Sequence, residues 1–152
     1  MPRTALFGVL LAAALAVAGC GGGGGGGGKT LTKEQYASAL SKLCLNGSDQ
    51  IRELHLDNTV AAWKADGHRI LEIEQNFKDK LAALKAPDEI KTAAREYADA
   101  NDKVFQDVKD AVSAAKTGDQ AKLRAALAKA NTENAATTQP AKEIGAKSCY
   151  IG

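Results

Sequence analysis

Two histidines and three cysteines, with a scatter of carboxylates and amides, are the side chains with which this chain could do chemistry. His55 and His68 flank a polar break at Asp57-Asn58. If two helices meet at that break, the imidazoles stand on the order of 12–15 Å apart, too far to share one metal ion. Neither belongs to an H-E-x-x-H or Glu-x-x-His arrangement, so both are expected to be exposed or half-buried rather than ligands. The single methionine, Met1, offers no haem ligand inside a domain. The serines have no histidine at a spacing that implies a nucleophile pair. The Gly47-Ser48 and Thr117-Gly118-Asp119 steps are too short to specify a phosphate loop. No catalytic residue, metal site or cofactor follows from the residue types, and a non-enzymatic protein is the expectation.

One polar constellation does emerge once the elements are laid out. Apolar residues recur at intervals of three and four in four segments, the signature of amphipathic helices. The first runs from a capping box, Thr32 with Gln35, through Tyr36, Leu40, Leu43, Gly47, Ile51 and Leu54. Asp57-Asn58 is placed to end it and cap the second, which carries Trp63, Gly67, Ile70, Phe77, Leu81 and Leu84. Ala86-Pro87 makes a corner, followed by Asp88 and Glu89 where a helix dipole favours negative charge. The third helix presents Ile90, Ala94, Tyr97, Val104, Val108, Ala111 and Ala115. Gly118-Asp119 reads as a C-cap followed by an N-cap. The fourth presents Leu123, Leu127, Ala130, Thr138, Ala141 and Ile144 before Gly145, with Pro140 set to bend or interrupt it.

Short connections make successive helices antiparallel neighbours. The expected fold is therefore all-α, an antiparallel up-down-up-down four-helix bundle over 32–152. Folding the hairpins brings Glu74, Asn101 and Asn134 to one height, each on an apolar seam, with Ser41 and Cys44 at the facing level of helix one. Such a polar layer either fixes helix register, turns its side chains outward, or forms a small pocket for a ligand or cation with Glu74 as its charged member. A partner-binding bundle would instead need an exposed apolar patch, to which Trp63 or Tyr150 could belong. The chain has 20 basic and 18 acidic side chains. That balance creates no field for nucleic acid or anionic lipid.

The N-terminus is of another kind. Arg3 precedes an apolar stretch, Ala5 to Val17, interrupted only by Gly8, with small residues after it. This core falls well short of the roughly twenty residues that span a bilayer. Val17-Ala18-Gly19-Cys20 resembles the lipobox of bacterial lipoproteins. The resemblance implies a signal peptide at 1–19, cleavage before Cys20, and a diacylglycerol thioether and often an acyl amide (commonly palmitate) on that cysteine. Two or three chains anchor stably where one does not. Ordinary secretion is the alternative, since Ala16-Val17-Ala18 also fits a small-x-small cleavage site and would leave Cys20 a bare thiol. Gly21 to Gly28 carry no side chains to bury, and residues 20–31 read as a tether. Eight glycines hold a domain roughly 15 Å from its anchor on average.

Under that resemblance lipidation takes Cys20 out of the thiol count and leaves Cys44 and Cys149 to pair, as the oxidising exterior permits. With no C-x-x-C spacing the pair reads as structural. Cys149 lies beyond the end of helix four and Cys44 well up helix one, so the chain must reverse near Gly145 and climb to reach it. The opening Leu31-Thr32-Lys33-Glu34-Gln35-Tyr36 and the ending Gly145-Ala146-Lys147-Ser148-Cys149 are also similar to a group of small helical bacterial lipoproteins without an established activity. The implied place is the extracytoplasmic face of a cell membrane, held by lipid. The resemblance implies no sharper role; the expected work is that of an envelope interaction or structural module with an unidentified partner, and the alternative is a small-ligand or cation-binding bundle that uses the polar layer.

Overall fold

A computed structural model describes residues 29–150. Residues 1–28, to which the expected signal peptide, the lipobox cysteine Cys20 and most of the expected tether belong, lie outside the described residues. Five helices make up the fold: α1 (Lys33–Glu53), α2 (Val60–Ala83), α3 (Lys91–Thr117), α4 (Gln120–Ala136) and α5 (Thr138–Ile144). The first four form the expected antiparallel four-helix bundle, and the described residues contain no strand.

The helix ends follow from local chemistry. Thr32 caps α1 through the full box: its N–H donates to Gln35 Oε1 at 3.0 Å, and the Gln35 N–H donates to Thr32 Oγ1 at 3.3 Å. Leu31, assigned to the tether by sequence, belongs to the bundle, because its N–H donates to the Lys85 carbonyl at the α2–α3 corner, 3.1 Å away. The second helix is capped by Thr59 rather than by the Asp57-Asn58 break itself. Thr59 Oγ1 accepts the Ala62 N–H, while Asp57 Oδ1 accepts the Thr59 N–H. Gln120 then clamps this loop across the bundle, donating to the Asn58 carbonyl at 2.9 Å and accepting the Val60 N–H at 3.1 Å. Gly118 and Asp119 act as read from sequence: Gly118 takes a left-handed φ of 77°, and Asp119 accepts the Lys122 N–H at 3.0 Å.

The fourth helical segment divides at Thr137, three residues before its proline. A proline ring collides with the carbonyl four residues back and cannot donate to it. For Pro140 that carbonyl belongs to Ala136, the last residue of α4. Pro140 thus sits in the first turn of α5, where a missing N–H costs nothing. The buried Thr137 donates to the Asn134 carbonyl twice, from its hydroxyl at 2.7 Å and from its N–H at 3.1 Å. After α5, Gly145 adopts a φ of 89° and the Ala146 N–H returns to the Ala141 carbonyl at 2.9 Å, which reverses the chain. A 3-10 turn, Lys147–Cys149, then packs on α1. The Cys44 and Cys149 sulfurs are 2.10 Å apart, with Cα atoms 5.3 Å apart. Gly145→Ala would meet only an ordinary van der Waals contact, Ala37 Cβ at 3.8 Å. It should nonetheless cost about 1–2 kcal/mol through left-handed backbone strain alone, read as a lower urea midpoint at unchanged slope.

Apolar burial splits into two clusters. The upper one gathers Trp63, Ile70, Val104, Val108 and Leu123 with small residues of α3 and α4. The lower one gathers Tyr36, Leu40, Leu81, Tyr97 and Ile144. Alanines on α3 and α4 let those two helices pack most extensively, whereas α1 meets α2, α5 and the C-terminal turn but makes no substantial contact with α4. Only Tyr36 and Leu40 of α1 are buried. Its upper seam, Leu43, Gly47, Ile51 and Leu54, is half-covered.

Candidate ligand-binding cleft

The missing α1–α4 contact leaves a cavity of about 440 Å³ between the two apolar clusters. Gly47 and Ile51 of α1 line one wall and Leu127 and Ala130 of α4 the other, while α2 and α3 form the floor. The exposed Ser48, Asn131 and Asn134 make its rim, so it opens between α1 and α4.

Glu74, Asn101 and Asn134 all line this one cavity. They do so unequally. Asn101 is buried, and its Nδ2 donates to the Tyr97 carbonyl one turn back at 2.8 Å. Glu74 is half-buried. Asn134 is exposed rather than seated in a seam. The reason lies in α4, whose buried stripe is Leu123, Ala126 and Ala130, continued by Thr137. That stripe faces α3, and the adjoining positions Leu127 and Asn134 turn toward the side that α1 leaves open. Ser41 does not line the cavity, but Cys44 and Cys149 do.

Burial raises the Glu74 carboxyl above its ordinary value. No ion pair relieves it among the described residues. Lys78, one turn along α2, is held by Asp102 at 2.9 Å and lies over the Phe105 ring at 4.5 Å. Tyr97, also on the cavity wall, is pushed up to about 12 by burial. Its hydroxyl donates to Cys44 Sγ at 3.1 Å. Because the folded chain holds the Glu74 proton more tightly than the unfolded chain, this group's stabilising effect is complete below the ordinary carboxylate value. It fades as pH rises through the raised one. Glu74→Gln should therefore unfold at a higher temperature than the parent at pH 7.5, with the gap closing by pH 4. A gap that ignores pH would show that Glu74 is not desolvated.

Trp63 is a cavity residue whose burial the partner-patch expectation did not foresee. The indole is 6% exposed, and its Nε1–H has no hydrogen-bond partner. Gly67 lets it lie there: a Cβ at 67 would come within 3.2 Å of Trp63 Cε3 and 3.1 Å of Val112 Cγ2. The sequence signal was present, since Trp63 and Gly67 share the predicted seam one turn apart. Nothing in the sequence marked Gln120 as the clamp of the α1–α2 loop. The histidines take no part in the cleft. Both are exposed, and His55 ends α1 with a left-handed φ of 48°. Among the described residues no group of three or more His, Cys, Asp or Glu side chains converges, and no helix is long and apolar enough to cross a membrane.

Comparison of the chain with protein-family models, with curated proteins and with solved structures gives no match. The chemistry of the cleft is what bears on function.

Proposed function

We propose that this chain is a lipid-anchored extracytoplasmic binding protein that holds a small, largely apolar ligand in the cleft between α1 and α4. The cavity of about 440 Å³ carries the reading. Its size falls within the range of small-molecule pockets, and its walls pair apolar side chains with a few polar ones, as such pockets do. A closed bundle of this composition would bury Ile51 and Leu127 against each other, whereas here both are half-buried cavity walls. A role as an interaction module for an envelope protein has less support. Leu45 is the one large apolar side chain that is exposed among the described residues, while Trp63 is buried and Tyr150 half-buried. The anchor is the lipobox cysteine Cys20, with the glycine run as leash. We read the chain as a carrier or receptor rather than an enzyme, and as having no dealings with nucleic acid.

Trp63 is the only tryptophan, so its emission reports on the cleft directly. Titrating 1-octanol into the full chain carrying Cys20→Ser should shift that emission saturably, and Ile51→Phe, which fills the cavity from α1, should abolish the shift. A non-saturable response, or one indifferent to Ile51→Phe, would remove the ligand reading. The anchor is tested by the intact mass of the membrane-extracted protein. A chain beginning at Cys20 with added acyl mass supports it, and a soluble chain beginning at Gly19 overturns it.

A further inference from the structure

The polar inventory of the cleft also specifies the ligand's charge, an inference that rests on the cleft being a binding site. We propose that the ligand is an apolar molecule bearing a protonated amine, whose ammonium is received by the Glu74 carboxylate.

Among the described residues Glu74 is the only carboxylate that lines the cavity, and no Lys, Arg or His lines it. A carboxylate brought out of water needs a cation, and removing the cation leaves a charge that burial penalises. The bundle supplies none. Lys78 is engaged by Asp102 and Phe105, and the other walls are apolar or neutral. The upward displacement of the Glu74 carboxyl is what such an unpaired site produces, and an arriving ammonium would reverse it. The surrounding groups suit the same guest. Asn101 spends an amide N–H on the Tyr97 carbonyl, while no protein donor among the described residues takes its Oδ1. Trp63, Phe77 and Tyr97 place three aromatic rings in the wall, and aromatic rings attract cations.

Other charge classes fit worse. An anion would meet a carboxylate and no cation. A calcium ion takes six to eight oxygen ligands, typically several of them carboxylates, and one glutamate among apolar walls does not provide them. A neutral apolar molecule fills the space but leaves Glu74 unpaired.

The test compares octylamine, 1-octanol and octanoate at pH 7.5, each below the concentration at which it aggregates or separates from water, on the full chain carrying Cys20→Ser. Calorimetry and Trp63 emission are the readouts. Octylamine should bind about tenfold or more tightly than octanol, as a charge-assisted contact warrants, and octanoate more weakly than either. In Glu74→Gln the amine and the alcohol should bind alike. In Glu72→Gln, which removes an exposed charge two residues away, the amine should keep its advantage. Equal binding of octylamine and octanol by the parent overturns the amine inference and leaves the cleft reading standing. Failure of all three overturns both. An amine preference that survives Glu74→Gln, or that Glu72→Gln also removes, overturns the assignment to Glu74.

Discussion

Replacing Cys44 and Cys149 together by alanine should lower the thermal midpoint by roughly 10–15 °C, the largest effect expected of any change to the covalent frame. The bond joins residues 105 apart in sequence. In the chain-entropy model a loop of that length restricts the unfolded chain by up to about 4–5 kcal/mol, of which engineered and natural bridges commonly deliver less, about 3 kcal/mol. Each kcal/mol moves the midpoint of a domain this size by roughly 3–5 °C. Native-state losses point the same way. Without the bond the 147–149 turn keeps only its packing on α1 and α5, and the Tyr97 hydroxyl loses its sulfur acceptor. Reducing the unmutated protein should reproduce most of the shift in scanning calorimetry. A reduced protein that melts where the oxidised one does would show that the bridge holds nothing. Because Ser148 and Cys149 line the cleft, the reduced form should also bind octanol more weakly.

The second large effect is a contrast between two positions that periodicity alone treats alike. Leu123 and Ile51 both fall on predicted seams. Leu123 is fully buried between α3 and α4. Leu123→Ala should cost about 3–4 kcal/mol, the lost transfer energy plus the cavity left among side chains that cannot close over it. Ile51 already borders empty space, so Ile51→Ala enlarges an existing cavity and loses only partial burial, for about 1 kcal/mol. Urea denaturation of both variants measures the difference. Equal costs would mean that α1 closes on α4 in solution and that the cleft does not exist there.

Much of the fold was legible because its signals are local. The Thr32–Gln35 box, the Gly118–Asp119 pair and the Gly145 reversal each depend on a few consecutive residues, and each forms as read. The Cys44–Cys149 pairing was reached by counting cysteines once the lipobox resemblance had set Cys20 aside, and the reversal near Gly145 from the reach of the tail. Pro140 announced an interruption, although the break falls at Thr137, because the ring's conflict is with a carbonyl four residues back. The polar layer was legible as heights along antiparallel rods, and Glu74 and Asn101 do line one space.

What periodicity does not carry is how far apart two helices stand. A heptad-like pattern says which face of α1 is apolar but not whether a partner covers it. In this chain the small side chains of α3 and α4 draw those helices together, and α4 turns its stripe toward α3. Asn134 is left on a rim and Trp63 in the wall of a cavity. By itself, then, the sequence determined the helices, most of their caps and their antiparallel order, since these follow from short-range sterics, hydrogen bonding and short connections. Only the tertiary structure decided that α1 stands off from α4, because inter-helix distance comes from the summed packing of residues far apart in the chain.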